Sequence, residues 1–359
     1  MWKIKLGNAS LYFEFKFNYY SLNNTSEISD WENKIFRASF YNFDRMALEL
    51  FQFQYQYNPV YRQYVNSIHI NPESVDAVVK IPFLPIQFFK TNAIKTTEFE
   101  PEIIFESSGT TQSVNSKHYV KNLDLYKKNF TKCFELFYGP ETEWCILALL
   151  PSYLERKNSS LITMTEELIK CSAHSLSGFY LHDHEKLYHT LLHNEILQQP
   201  TLLIGVTFAL LDLTEKYTMH LSNTVIMETG GMKGRREEMT REDVHDRLMR
   251  KSGLHQIHSE YGMTEILSQA YSRGNGIFKC PPWMRVLVRS EDDPFSVHTP
   301  SVSTHKTESG IINIIDLANI YSCAFIATDD MGKLYHNGSF EVKGRCDTSD
   351  IRGCSLLLT

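Results

Sequence analysis

This sequence contains no C-x-x-C pair, no G-x-S-x-G elbow, no internal repeat and no low-complexity tract. The first absence, together with an odd count of seven scattered cysteines, argues against a disulfide framework and for reduced thiols, most of them buried as small hydrophobes. The second removes support for serine-hydrolase chemistry. Positive charge is not in excess: the net charge is −6, so no basic surface is on offer to nucleic acid or an anionic membrane. The longest apolar run, TLLIGVTFALLDL from Thr201 to Leu213, is interrupted by Asp212 and too short to span a bilayer. At the N-terminus, MWKIKL passes into alternating polar and aromatic residues rather than an apolar stretch with a small-residue cleavage site, which is not the form of a secretory signal. A cytoplasmic protein without a membrane span is expected.

What is present is a chain of 359 residues, 42% hydrophobic, with 19 tyrosines and 22 phenylalanines, enough for a sizeable core in one large domain or two. Residues 1–100 read as a helical, aromatic-rich region packed on the rest. Phe43, Met46, Leu48, Leu50 and Phe51 fall near a helical repeat that ends at Asn58-Pro59, and VKIPFLPIQFFK (Val79–Lys90), with two prolines, reads as extended. From residue 101 to 359 short apolar strands alternate with helices. CILALLP, NTVIMETGG, MRVLVRS, GIINIIDL and CAFIATDD are strand candidates, and TREDVHDRLMRKSG is a helix capped by Thr240 and stopped by Gly253. The expected fold class is α/β, with a mixed or parallel sheet, in one compact unit.

Small donors and glycines recur where these strands end. Ser107, Ser108, Gly109, Thr110 and Thr111 form a hydroxyl- and amide-rich loop, followed by Lys117 and His118. Such a loop is a turn by its composition, and it could equally cradle an anion. METGGMKG supplies Glu228, Gly230, Gly231 and Lys233, where the backbone can approach a flat ligand. SEYGMTE supplies Tyr261, Gly262, Thr264 and Glu265 before an expected helix, whose N-terminus would favour an anion while Glu265 could hold Mg²⁺. IATDDMG and VKGRCD are expected as loops after strands, offering Asp330 and Arg345 to sugar hydroxyls or phosphate. Each alone is a turn, but ligand sites in open α/β sheets gather at the carboxyl ends of strands, so four in order reinforce one another.

In that order, SSGTT, EYGMTE, TDDMG and GRCD resemble the core motifs of the adenylate-forming acyl- and aryl-CoA ligase superfamily. IPFLPIQFFK, SSGTT…SKHY, LPSYLERKNSSL, SGFYLHDHEKL, ETGGMKGRREEMTREDVHDRL and GRCDTSDIRGCSL look more narrowly like the LuxE-type acyl-protein synthetases, from Ile81 to the C-terminus. The resemblance implies ATP- and Mg²⁺-dependent activation of a carboxylic acid, a fatty acid in the LuxE type, as an acyl-adenylate, followed by transfer to a thiol. It implies that Ser107 to Thr111 hold the departing phosphates and that Gly230 and Gly231 lie along adenine. Tyr261, Gly262 and Thr264 would close the nucleotide site, Glu265 would ligate Mg²⁺, and Asp330 and Arg345 would bind ribose. Cys354, in IRGCSLLLT, stands where the family keeps its acyl-accepting cysteine, and an acyl-accepting reductase or carrier protein is the kind of partner implied. The alternatives are an aryl- or acyl-CoA ligase and a non-catalytic acyl- or nucleotide-binding subunit.

Three departures qualify the likeness. Gln112 replaces the glycine that usually follows the threonines, GRCDTSDIRG is one residue short, and the chain stops at Thr359, where larger ligases continue into a mobile lid carrying a lysine. The lid is therefore expected to be absent, with Lys233 or Lys117 standing in for its lysine. In LHDHEKLYHTLLHNE, His189 and His193 share a helix face, but Thr190 occupies the place of a metalloprotease glutamate, so a solvated or packed helix is expected instead of a zinc site.

Overall fold

The computed structural model describes residues 31–107, 114–150, 158–230, 239–300 and 306–346. Their centre is a thirteen-stranded sheet of two halves. In the first half Gly178–Phe179, Cys145–Leu149, Thr201–Gly205, Thr224–Glu228 and His258–Tyr261 lie side by side and parallel. Cys145–Leu149 and Thr201–Gly205 are buried at every position. They read as continuous apolar runs because parallel strands are covered on both faces.

The second half is antiparallel. His258–Tyr261, parallel to Thr224–Glu228 on one side, pairs antiparallel with Ala270–Ser272 on the other. The sheet then runs through Phe278–Lys279, Phe340–Arg345, Phe325–Leu334, Glu308–Asp316 and Met284–Arg289. Leu84–Pro85 adds a short parallel strand beside Ile326 and Ala327. The His258–Tyr261 strand is thus the seam where sheet direction changes, and the candidate site is built on its carboxyl end. A two-stranded hairpin, Ile103–Glu106 with Lys117–Val120, stands apart from the sheet.

Helices pack on this sheet for legible reasons. Phe43–Tyr57 buries Phe43, Met46, Leu50 and Phe51, and its buried Gln54 donates to the carbonyls of Asn319, Ile320 and Ser322 while accepting from Ala324 N. Arg241–Ser252 begins where Thr240 Oγ1 accepts from Asp243 N and ends at Gly253 with φ of +77°, a left-handed stop that glycine adopts without a Cβ penalty. Buried side chains from Trp31 to Phe340 form one contiguous apolar cluster. No helix among the described residues is long and apolar enough to cross a membrane.

Some local expectations fail. Val79–Lys90 is extended only at its centre, between a 3₁₀ turn at Val78–Lys80 and a helical turn at Phe88–Thr91. IATDDMG is not a loop, because Asp330 lies inside the ten-residue strand Phe325–Leu334, which is paired along both edges. VKGRCD is not one either, because Val342 to Arg345 end the strand Phe340–Arg345. Backbone pairing on two sides overrides the turn preference of Asp-Asp-Met-Gly.

Candidate active site

Asp330 and Arg345 are register partners on adjacent antiparallel strands. Their side chains face each other, with Arg345 Nε 3.5 Å from Asp330 Oδ1. The Arg345 side chain is 82% exposed, so the pair itself adds little to stability and leaves the guanidinium free to meet an anion or a hydroxyl. The other Asp330 oxygen accepts a 2.7 Å hydrogen bond from Tyr261 Oη. Burial and the neighbouring Asp330 carboxylate raise the Tyr261 phenol far above its ordinary range, so it stays a donor. Phe278 and Phe340 fix the Tyr261 ring edge-on at 5.9 and 5.5 Å. Beside this group Gln87 donates to both oxygens of Asp329, tying the residues after the proline-rich segment to the same strand.

Beyond Tyr261 the chain does not enter a helix, contrary to the sequence expectation. Residues 262–269 form an irregular turn that returns as the antiparallel strand Ala270–Ser272. Its carbonyls are captured by side chains instead of by amides four residues on. His118 Nδ1 donates to Thr264 O at 2.8 Å, and Asn319 Nδ2 donates to Glu265 O at 2.7 Å. A carbonyl can only accept, which fixes the Nδ1–H tautomer of His118, and burial holds this imidazole neutral, down at about 4.

The hairpin brings the serine-rich loop to this turn. Ser107 N donates to Ser116 O and Ser116 N donates to Ser107 Oγ, closing the stem of the loop. The Glu265 carboxyl is buried and raised above the usual carboxylate range by that burial, against which the neighbouring Ser116 side chain acts to lower it. Arg345 and Asp330 both act electrostatically on Glu265. Glu265, Tyr261, Asp330 and Arg345 are thus brought near one another, with Thr264 on the same turn and Ser107 at the hairpin stem. Gly230, with φ of +79°, follows the end of the neighbouring parallel strand, the conformation its lack of a Cβ permits. Gly262 lies on the exposed side of the turn. Ser108, Gly109, Thr110, Thr111, Gly231, Lys233 and Cys354 lie outside the described residues. Lys117 is on the outward face of the hairpin, 3.8 Å from Glu106.

The Glu265 carboxylate fits Mg²⁺ in kind, because its oxygens are hard ligands. Among the described residues no group of three or more His, Cys, Asp or Glu could hold a metal, the zinc-like His189 and His193 included. A single carboxylate suits an ion that keeps most of its coordination for waters and substrate phosphates.

Sequence reasoning singled out Tyr261, Thr264, Glu265, Asp330 and Arg345 but gave no role to Ser116, His118 or Asn319. It also missed a buried polar cluster beneath Gly230. Glu228 accepts from Thr207 and Ser259, and His245 lies 3.9 Å away. Burial alone would raise the Glu228 carboxyl, but the nearby His245 imidazole and the Thr207 hydrogen bond outweigh it and hold the acid below its usual range. Glu260 behaves oppositely: burial, and then the charge of Glu228, push it up to about 8. The one signal was the run of polar residues, His258 to Glu260, in a central strand.

No curated protein matches the chain. Among solved structures it is similar to the O-succinylbenzoate coenzyme A synthetase of Bacillus subtilis in complex with AMP, at 16% identity over 79% of this chain and 54% of that one, TM-score 0.46. It is also similar to a long-chain-fatty-acid-CoA ligase of Archaeoglobus fulgidus, at 15% identity over 68% and 52%, TM-score 0.44. A third is the luciferase-like enzyme of the nonluminescent mealworm Zophobas morio, at 17% identity over 70% and 59%, TM-score 0.43. The chain spans little more than half the length of these structures. The acyl-protein synthetase LuxE family model matches residues 30–359, and the chain belongs to that family.

Proposed function

We propose that this protein is an AMP-forming acid–thiol ligase that activates a carboxylic acid, a fatty acid in the first instance, and passes the acyl group to the thiol of Cys354. The observation that carries the reading is the convergence of Tyr261–Asp330–Arg345 on the Thr264–Glu265 turn, itself joined through Ser116 to the stem of the serine-rich loop. In the first step a substrate carboxylate oxygen attacks the α-phosphorus of ATP. The bond to the bridging oxygen breaks and pyrophosphate leaves. Asp330 and Arg345 hold the ribose, Gly230 and Gly231 lie along adenine, Tyr261, Gly262 and Thr264 close the nucleotide site, and Ser107 to Thr111 receive the departing phosphates. Glu265 would hold Mg²⁺, which neutralises phosphate charge when bound. Lys233, in the glycine-flanked stretch METGGMKG, would neutralise charge on the α-phosphate.

In the second step a thiolate attacks the acyl carbon, the carbonyl–oxygen bond of the adenylate breaks, and AMP leaves with the electron pair. Five of the six described cysteines offer poor alternatives to Cys354, and the sixth, Cys346, is half-buried directly after Arg345 and remains a rival acceptor. Burial pushes Cys133 well above the ordinary thiol value and Cys280 and Cys323 up to about 12, and Cys145 and Cys171 are also raised by burial. Such thiols hold little thiolate at neutral pH, and the thiolate is the nucleophile. ATP–pyrophosphate exchange across a panel of carboxylic acids tests the first step, and its absence with every acid overturns the reading. Cys354→Ser should keep exchange and lose acyl label that neutral hydroxylamine removes. Label persisting on another thiol, or efficient acylation of free coenzyme A by the variant, would move the acceptor elsewhere.

A further inference from the structure

The turn that carries Thr264 and Glu265 has no regular backbone hydrogen-bonding of its own, yet the adenylating reading asks it to hold one residue for the nucleotide and one for the metal. What restrains its far end is Asp316, at the end of the Glu308–Asp316 strand and fully buried. Asp316 Oδ2 accepts from Leu267 N and Ser268 N, both at 2.9 Å. Oδ1 accepts from Ser268 Oγ at 2.6 Å and from Ala318 N at 3.0 Å. All four partners are donors, so an ionised carboxylate satisfies them without a proton, whereas an amide would turn an N–H toward at least one of them. Trp283 Nε1 and Asn129 Nδ2 further fix the Ser268 hydroxyl, at 3.1 and 3.2 Å.

The same carboxylate also shapes the loop that supplies the turn's second restraint. By holding Ala318 N it sets Asn319, whose Nδ2 donates to Glu265 O and to Cys323 O at 3.1 Å. Gln54 grips the Asn319 carbonyl at 2.8 Å from the opposite side. A cap for one loose amide would need only a serine or asparagine. Burying a carboxylate is costly unless it is saturated with donors, and here the donors come from the two loops that Asn319 also ties together.

We propose that Asp316 is a positioning residue for the candidate metal and phosphate turn, setting Glu265 and Thr264 through Leu267, Ser268 and Asn319. The inference rests on the adenylating reading of the site. It is tested in the full chain with Asp316→Asn and, should that variant fold poorly, with Asn319→Ala, which removes one donor and leaves the carboxylate in place. Amide hydrogen exchange should accelerate about tenfold or more within residues 262–269 while the Thr201–Gly205 and Thr224–Glu228 strands keep their protection. The MgATP dissociation constant and the magnesium half-saturation of pyrophosphate exchange should rise roughly 10–100-fold, as expected when the support of a metal ligand is lost. Unchanged exchange in the turn, or a loosened turn with MgATP affinity within about twofold of the parent, overturns the proposal. A parent protein that binds MgATP but exchanges no pyrophosphate would sink the acid-activating reading alone, and the affinity comparison would still decide the role of Asp316. A parent that binds no MgATP sinks both.

Discussion

Glu260 Oε1 occupies the space that a Cβ on Gly262 would require. The backbone of Gly262 is not left-handed, so this glycine is needed for close approach and not for its dihedral angles. Gly262→Ala should therefore destabilise the protein mainly by displacing the Glu260 carboxyl. In a Glu260→Ala background the same substitution should cost less, with a coupling of about 0.5–3 kcal/mol. Equal costs in both backgrounds, measured by denaturant titration, would show that the two positions do not compete.

Glu260 also makes a pH prediction. Its ordinary value is 4.5 and the folded protein holds it at about 8 through burial and the charge of Glu228. Between those values the unfolded chain has released a proton that the native state keeps. Its contribution to stability therefore falls as pH rises through this window, by at most about 1.4 kcal/mol per unit, and levels off above it. Glu260→Gln should flatten that decline. Unfolding midpoints compared across the window decide the matter, and parallel curves for variant and parent would remove Glu260 as the cause.

The strands were legible because their signal is local. Cys145–Leu149 and Thr224–Glu228 are largely apolar stretches bounded by turn residues, as parallel strands require, whereas Thr201–Gly205 was read only as part of the longest apolar run. The 262–269 turn was not legible. Its shape is set by His118, Asn319 and Asp316, which stand 146, 54 and 49 positions from the atoms they hold, and no local propensity encodes such partners. Tyr261, Glu265, Asp330 and Arg345 could be picked out as residue types. That Asp330 faces Arg345 across two strands depends on a register that shifts at Met331 and Gly332, which the sequence does not display.

Tyr261→Phe should test the nucleotide end of the site. The phenol orients Asp330, and its loss frees the carboxylate to turn from the position that would meet ribose. The KM for ATP should rise about tenfold, the scale of a hydrogen bond to a charged group, while the KM for the carboxylic acid stays close to that of the parent. Arg345→Ala should raise the KM for ATP as well but leave the melting temperature nearly unchanged, because its side chain is largely exposed. A rise in both substrate constants would point to a general distortion of the fold.

Glu265→Gln keeps the shape of the side chain and removes its charge. The Ser116 contact can persist, so the turn should survive. Adenylation should then need more magnesium, with half-saturation raised about tenfold or more and partial recovery at high metal concentration. A magnesium titration of pyrophosphate exchange that superimposes on the parent's would remove Glu265 from the metal site.

The two lysines considered for neutralising charge on the α-phosphate, Lys117 and Lys233, are not equivalent. Lys117 is 48% exposed on the outer face of the hairpin, and its neighbour there is Glu106, at 3.8 Å. A cation so placed and so paired is poorly positioned to neutralise charge on the α-phosphate, and removing it should cost no more than an exposed ion pair, about 0–1 kcal/mol. Lys233 lies in the glycine-flanked stretch METGGMKG, directly after the strand that borders the Tyr261 strand. A compact ammonium on a flexible stem could approach the reacting phosphate from there. Lys233→Ala should therefore lower adenylate formation by about tenfold or more, and Lys117→Ala should leave it within about twofold of the parent. Both rates should be measured at saturating magnesium, so that a weakened metal site does not pass for a lost lysine. Near-parental rates for both variants would leave the lysine function vacant in this protein, and a larger loss for Lys117→Ala would assign it to the hairpin instead.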